Sequence, residues 1–402
     1  SAPSTPLPPD RDLMEGLRPT PVRTLAIPSA TSAAKDVTIA NLETIGSYNW
    51  TKATSPTIIL ILPGSPPEWQ NKATPYQVPA DVGLFFVDQN GFRMPSAVLL
   101  PLITAVDKVH EASGNPSSFE WGDANIDFVT DRNGLRKLMR WIDSADADAW
   151  PKDFRIDMQL AGRTVLLNRW EKRTRENFSG FSYGFNFEKA STDAAPGCEE
   201  SSGHHRIVKY DMNGLKMIVR FEVDACIPTP VKPSAASKSV KSVDDLGDIL
   251  AGIKLAAPST SAPAAKTSNG LTVVDGGATI PHSAIVELTT RSDRRQAEFD
   301  WKDAYPQLFF SQTPHHFLAV HTHGRFTAVN KRKLGSPELQ AVERKIQPSL
   351  KKLRAALDVI KNIVVEHGQR GRLTLVCING KLQIFERTSS ASCLPDEMMA
   401  QF

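Results

Sequence analysis

HHRIVKYDMNGLKMIVRFEVDACIP, residues 204–228, consists of two β-rich runs on either side of Asn213-Gly214. Asn-Gly readily adopts the positive-φ pair that a two-residue hairpin turn needs, so the segment predicts a long antiparallel ribbon. In its second run Met217, Val219, Phe221 and Val223 alternate with Ile218, Arg220, Glu222 and Asp224. A period of two puts Glu222 and Asp224 on one strand face, about 7 Å apart at the base. Two carboxylates facing a core are costly unless a cation neutralises them. An isolated Glu-x-Asp also fits a solvent-facing strand edge.

Outward from the ribbon, the chain mixes strands and helices without strict alternation, which reads as α+β with a mixed, largely antiparallel central sheet flanked by helices. Upstream, residues 1–35 are rich in Pro, Ser, Thr and Ala and predict a tail that wraps the surface or stays flexible. Thr57–Leu62 reads as a buried strand, and Ala97–Glu111 as a helix broken early by Pro101. Ile126–Thr130 predicts a strand running into a helix over Asn133–Ile142, where Leu135, Leu138, Met139 and Ile142 recur at helical spacing. Phe154–Leu160 and Arg163–Trp170 flank Ala161-Gly162 as a second hairpin. Downstream, a Pro/Ala/Ser-rich insertion at about 228–283, with a short helix over Val243–Leu255, interrupts the fold. Folded sequence resumes with strands at Ala284–Thr290, His315–His321 and Phe326–Lys331. A long helix follows from Ser336 and Pro337 to Gly368, kinked or split at Pro348, and then a hairpin at 372–387 around Asn379-Gly380. Residues 36–402 are therefore expected to form one domain.

Composition narrows the class. The 402 residues carry 47 Lys and Arg against 44 Asp and Glu, are 41% hydrophobic and 23% charged, and so exclude collagen, full disorder and a disulfide scaffold. Cys198, Cys226, Cys377 and Cys393 form no CxxC pair and are expected as reduced thiols. No apolar run approaches the roughly 20 residues of a membrane helix, so a soluble protein is expected. The first ten residues, SAPSTPLPPD, lack the basic and apolar regions of a secretory signal. No phosphate loop, GxGxxG or GxSxG is present.

Two further carboxylates join Glu222 and Asp224 as candidates. Glu188 ends Gly184-Phe185-Asn186-Phe187-Glu188, and Glu287 interrupts the apolar run Ala284-Ile285-Val286-Glu287-Leu288, an odd place for a charge in a buried strand unless it has a function. Four carboxylates make a hard, oxygen-rich site that suits Mg²⁺ or Mn²⁺.

Taken in order, these residues resemble the DXO-type decapping exoribonucleases of the PD-(D/E)xK nuclease superfamily. The resemblance covers most of the chain and rests on six segments. They are Gly46-Ser47-Tyr48-Asn49-Trp50, the strand Ile126–Asp131 leading into Arg132, Gly184–Glu188, Glu222-Val223-Asp224, Glu287-Leu288-Thr289, and Phe310-Ser311-Gln312-Thr313. The resemblance implies a PD-(D/E)xK-like core in which Glu188, Glu222, Asp224 and Glu287 are metal ligands and Arg132 and Gln312 contact RNA. It implies hydrolysis at RNA 5′ ends, with removal of incomplete or non-canonical caps, NAD-type caps included, and 5′-to-3′ degradation of the RNA body. A larger 5′–3′ exoribonuclease is an implied partner, and the location is expected to be nuclear or cytoplasmic, with a mitochondrial one left open.

Two departures carry consequences. The family's Lys, two residues after the last Glu, is Thr289 here, and a hydroxyl cannot neutralise developing phosphorane charge as an ammonium does. Two function classes therefore stand side by side: an active hydrolase in which Thr289 is an altered catalytic position, and an impaired member that serves as an RNA-binding or scaffold protein. Arg291, farther along the same strand face, reads either as a replacement positive charge or as a surface charge. The second departure is the insertion, which leaves one site strand and returns into another, as a lid, a partner-binding arm or a passive loop. His204 or His205 should lie near Glu222, with a satisfied surface histidine the plainer reading. His321-Thr322-His323 lacks a second metal motif. The basic clusters Lys331-Arg332-Lys333, Lys351-Lys352 and Arg370/Arg372 read as solvated faces or as an RNA-tracking surface.

Overall fold

The computed structural model describes residues 6–29, 34–53, 58–115, 117–122, 125–148, 150–229 and 266–402. Asn213 and Gly214 both have positive φ, 46° and 87°. The ribbon they close, Ser201–Met212 and Leu215–Val223, stays in register from Met212↔Leu215 to His204↔Val223.

The ribbon lies at the middle of a twelve-stranded sheet. From one edge its strands are Arg23–Leu25, Lys381–Glu386, Leu373–Ile378, Phe154–Ala161, Thr164–Trp170, Phe128–Asp131, Leu215–Val223, Ser201–Met212, Ile39–Thr51, Ile58–Pro63, Leu271–Gly276 and Lys266–Ser268. Most neighbours are antiparallel, while Phe128–Asp131 runs parallel to both Leu215–Val223 and Thr164–Trp170. Met217, Val219, Phe221 and Val223 face one core, which helices Arg132–Asp143, Trp301–Ser311 and Pro337–His367 cover. Ile218 and Ile207 face the other, under helix Leu100–Ala112. Gly46 permits that approach, because a Cβ there would lie 3.2 Å from both the Val106 backbone nitrogen and the Ile207 side chain.

A second, seven-stranded sheet consists of Thr192–Asp193, Glu68–Trp69, Ala225–Cys226, Ile285–Ser292, His315–Thr322, Arg325–Lys333 and Tyr76–Gln77. Helix Gly184–Ser191 packs Phe187 onto it, among Trp69, Leu288, Phe317 and Phe326. The chain crosses from the first sheet to the second at Asp224, between Val223 and Ala225. The Leu288 amide donates to Asp224 Oδ2 at 2.8 Å and ties the crossing to Ile285–Ser292.

Two helix expectations change, and two segments gain detail. Pro101 starts its helix, at the first or second position where no amide bond is lost, and does not break it. The helix Pro337–His367 runs continuously through Pro348. Its buried stripe of Ile346, Leu350, Leu353, Leu357, Ile360 and Ile363 outweighs the roughly 3 kcal/mol that an interior proline costs. The described part of the N-terminal tail is laid on the surface, with Arg23–Leu25 added to the sheet edge and Leu25 buried. The end of the insertion likewise joins the sheet, Leu271–Gly276 pairing in parallel with Ile58–Pro63, and Leu271 is buried. The expected helix over Val243–Leu255 lies outside the described residues. All four cysteines are free thiols, and no helix among the described residues is long and apolar enough to cross a membrane.

Arg220, next to Glu222, is fully buried and grips Asp131 with two bonds, Nε–Oδ1 at 2.6 Å and Nη2–Oδ2 at 2.9 Å. Its remaining donors reach Tyr48 Oη at 3.1 Å and the Val98 carbonyl at 2.9 Å. The network continues from Tyr48 to Asn90 Oδ1, which also accepts from Trp50 Nε1. Removing one member of such a pair strands a buried charge. Asp131→Ala is expected to cost about 3–5 kcal/mol in urea unfolding, and joint replacement of Asp131 and Arg220 by Leu and Met clearly less. Equal losses in the single and double variants would show the pair to be dispensable.

Candidate active site at the junction of the two sheets

Five elements deliver the candidate side chains to the point where the chain changes sheets. Glu222 and Asp224 come from the end of Leu215–Val223 and the crossing beyond it. Glu287 and Thr289 lie on Ile285–Ser292, Glu188 on helix Gly184–Ser191, and Arg132 begins helix Arg132–Asp143. Helix Trp301–Ser311 adds Gln307 and Ser311.

The carboxylates feel one another. Burial first, and then the charges of Glu222, Glu287 and Asp81, hold Glu188 well above the ordinary carboxylate range. Asp224 is likewise held well above it by burial and by Glu287 and Glu188, against the opposing bond from the Leu288 amide. Glu222 is open to solvent, but protein crowds its flanks, with Gly203 and Gln89 close by. It is raised by this enclosure and by Glu287 and Asp88, with Arg169 and Arg132 opposing. Glu287 is buried and paired: Arg132 Nη1 lies 3.2 Å from its Oε2, and Gln307 Nε2 donates to its Oε1. Arg132 Nη1 also donates to Ser311 Oγ at 3.1 Å.

Sequence reasoning thus located Glu188, Glu222, Asp224, Glu287 and Arg132 in one neighbourhood. Gln312 is different. It has φ of 48° and ends its helix, with Nε2 donating to the Phe309 carbonyl at 2.7 Å, so it is a helix cap and not a group aimed at the carboxylates. Gln307, five residues earlier, is the glutamine that donates to Glu287. His204 and His205 are both buried, which overturns the surface reading. His205 pairs with Glu222 across the ribbon but turns to Tyr48, stacked at 5.1 Å, and to Asn90, and His204 meets Asn49 Oδ1 at 2.7 Å. Burial keeps both far below the usual histidine range and therefore neutral.

Three contributors carried no sequence signal. Asp81 is fully buried and accepts from the Phe185 and Asn186 amides and from Ser182 Oγ, which fixes the first turn of the helix that bears Glu188. Arg169 acts on Glu222 from Thr164–Trp170, two strands away in the sheet, and is held by Glu171 at 2.9 Å. His316 is buried, lies beside Glu287 in register, and meets Thr289 Oγ1 through Nε2 at 3.0 Å. A partner across strands cannot be read from spacing along one strand.

The donor set is all hard oxygen, and the repulsion that raises three carboxylates is what a divalent cation would relieve, so the residues fit one by chemistry. As they lie, no group of three or more His, Cys, Asp or Glu among the described residues is placed to hold an ion, and Glu287 is engaged by Arg132 and Gln307.

The chain belongs to a family described as a domain of unknown function (DUF8563), whose model matches residues 23–402. No curated protein sequence matches it. Its fold is that of the Rai1 structures of yeasts, DXO-type proteins, in keeping with the resemblance read from the sequence. S. pombe Rai1 is 16% identical with a TM-score of 0.53, the match covering 90% of this chain and 99% of that one. Candida albicans Rai1 in complex with pU5 and Mn²⁺ is 12% identical with a TM-score of 0.56, covering 94% and 98%. Scheffersomyces stipitis Rai1 with (3′-NADP)⁺ and calcium is 11% identical with a TM-score of 0.56, covering 96% and 95%.

A raised carboxylate binds its proton more tightly in the folded than in the unfolded state. Its stabilisation is therefore present below the ordinary carboxylate range and is lost as pH rises through the folded-state value. Buried neutral His204 and His205 act with the opposite sign, so the informative comparison is with a variant. In EDTA, the wild-type Tm minus that of Glu222→Gln/Asp224→Asn should fall as pH rises from about 4 to 8. Mn²⁺ should raise the wild-type Tm most at the alkaline end. A difference independent of pH would contradict the mutual repulsion.

Proposed function

We propose that the chain is a divalent-metal-dependent phosphodiester hydrolase acting on RNA 5′ ends, removing incomplete or non-canonical caps, NAD-type caps among them. The observation that carries this reading is the convergence of Glu188, Glu222, Asp224 and Glu287 with Arg132 at the sheet junction of a Rai1-like fold. The pU5 and Mn²⁺ of the C. albicans structure and the (3′-NADP)⁺ of the S. stipitis structure are ligands of those proteins, and they suggest the substrate class here. Continued 5′-to-3′ degradation belongs to the same proposal.

Glu188, Glu222, Asp224 and Glu287 would hold Mg²⁺ or Mn²⁺, which supplies Lewis acidity and lowers the pKa of a water. The remaining work falls to the chain. Arg132 is the first residue of its helix, where free amides and the guanidinium both favour a phosphate oxygen. Its present contact with Glu287 and a contact with phosphate compete for one guanidinium, so Arg132 turns to substrate only when Glu287 is neutralised in another way. Thr289 presents a hydroxyl whose direction is fixed by His316, which is neutral because burial lowers it to about 4. With His316 donating through Nε2, that hydroxyl keeps its own hydrogen for a developing oxyanion but adds no positive charge.

The Arg132–Glu287 contact and the Thr289–His316 pair also favour a second reading, an impaired member that binds RNA without cutting it. One assay separates the two. Wild type, Glu222→Ala and Thr289→Lys are incubated with 5′-monophosphate, triphosphate and NAD-capped RNA in Mn²⁺ and in EDTA. Cleavage by wild type that EDTA stops and Glu222→Ala abolishes, with a loss of at least about 100-fold expected for a metal ligand, supports the hydrolase. Inert wild type that binds RNA, with cleavage gained in Thr289→Lys, supports the binding role.

A further inference from the structure

On Ile285–Ser292 the period of two places Glu287, Thr289 and Arg291 on one face. Leu288 points the other way, into the core of the second sheet. Four residues of strand, about 13 Å, lead from Glu287 to Arg291. Arg291 is exposed, makes no ion pair with a described residue, and lies with its guanidinium carbon 5.3 Å from the centre of the Phe299 ring. Phe299 meets Trp301 edge-on at 4.8 Å, and Trp301 carries Arg332 at 5.2 Å. Both rings are half-buried and rest on His316, at 5.9 and 5.1 Å. Since His316 bonds to Thr289 and stands in register between Glu287 and Arg332, the row Arg291, Phe299, Trp301, Arg332 passes beside the candidate site.

Positive charge accumulates beside the row. Arg136 and Arg140 follow Arg132 at one-turn intervals on its helix, and both converge on Asp303, at 3.7 and 2.8 Å. Burial would raise Asp303, but Arg140, Arg136 and Arg291 together hold it below the ordinary range. The crowding of Arg140 and Arg132, added to burial, pulls Arg136 down to about 10. Arg332 is matched by Glu338 at 3.0 Å, whereas Arg136, Arg140 and Arg291 share a single carboxylate. If the two rings served only to roof His316, apolar neighbours would suffice. Guanidinium groups at both ends of the pair, one of them in no ion pair with a described residue, supply what alternating bases and phosphates require.

We propose that Arg291, Phe299, Trp301 and Arg332, flanked by Arg136 and Arg140, form a track for single-stranded RNA, the rings stacking bases and the guanidiniums taking the phosphates next to the one held at the carboxylates. The inference rests on the RNA reading above and names how the rest of the strand is held. Double-stranded ends do not fit it, because paired bases offer no free face.

The test is binding without cleavage: fluorescence anisotropy in EDTA with a 5′-monophosphorylated oligoadenylate labelled at its 3′ end. Phe299→Ala and Trp301→Ala should each weaken binding about 5- to 100-fold. Arg291→Gln should weaken it about threefold and lower the salt slope by about 0.7. Because the rings also cover His316, an abasic oligonucleotide of equal length provides a measurement on unaltered protein: it should bind wild type as weakly as the intact strand binds Phe299→Ala. Equal affinity for abasic and intact strands, or wild-type affinity in all three variants, overturns the track. A tighter hold on the matching DNA strand overturns the assignment to RNA. Track-dependent binding with no cleavage of any 5′ end supports the track and counts against the hydrolase alone. Cleavage with wild-type affinity in the track variants counts against the track alone.

Discussion

The Arg220–Asp131 pair is the fixed point of this molecule. A guanidinium with no solvent exposure has to spend its donors inside the protein, and it does so on Asp131, Tyr48 and the Val98 carbonyl. Desolvation penalises such a charge heavily, so its value lies in specificity more than in net stability. Only one register of Phe128–Asp131 against Leu215–Val223 places Asp131 opposite Arg220. That register also sets where the helix after Asp131 begins, and hence where Arg132 stands relative to Glu222. One buried pair thus fixes both the packing of the parallel strands and the distance between Arg132 and the carboxylates.

Much of this was legible from the sequence, and unevenly so. The ribbon around Asn213-Gly214 could be read in full because turn chemistry and alternation agree. The long helix was legible in its ends, Pro337 and Gly368, but not in its continuity, since a local rule about Pro348 competes with a stripe of buried leucines and isoleucines that only the folded sheet rewards. Glu287 stood out because it interrupts an apolar run, Glu222 and Asp224 because alternation puts them on one face, and Glu188 because it ends Gly184–Glu188. Their supports did not. Asp81 acts across more than a hundred residues on the amides of Phe185 and Asn186, and His316 acts across two strands on Thr289. The cap geometry of Gln312 was not legible either, because the motif counts position along the chain, whereas its left-handed backbone turns the side chain back onto its own helix.

Thr289 supplies a hydroxyl and no charge, and this has a visible electrostatic consequence. A site with four carboxylates and no ammonium must find positive charge elsewhere. Arg132 lies on Glu287, and Arg169 opposes the repulsion at Glu222. Where neither guanidinium reaches, at Glu188 and Asp224, the carboxylates are driven farthest from their ordinary range. The protein itself tolerates this tension because the supporting contacts are rigid: the crossing is pinned by the Leu288 amide, and Asp81 fixes the first turn of the Glu188 helix.

That tension gives the positive charge near the site two roles that distance keeps apart. Arg132 is close enough to neutralise Glu287 and so is spent on it while the carboxylates stand alone. Arg136 and Arg140 lie farther down the same helix and Arg291 farther along the same strand, beyond contact with Glu287, and the one carboxylate they share leaves them electropositive. A polyanion approaching this face is met first by the guanidiniums of the row, which Asp303 and Glu338 only partly offset, and then by the four clustered carboxylates beside it. The order matters physically. Phosphates held at the row place the terminal one beside Glu287, where its charge competes for Arg132, so binding of the strand and rearrangement of the site are parts of one electrostatic balance.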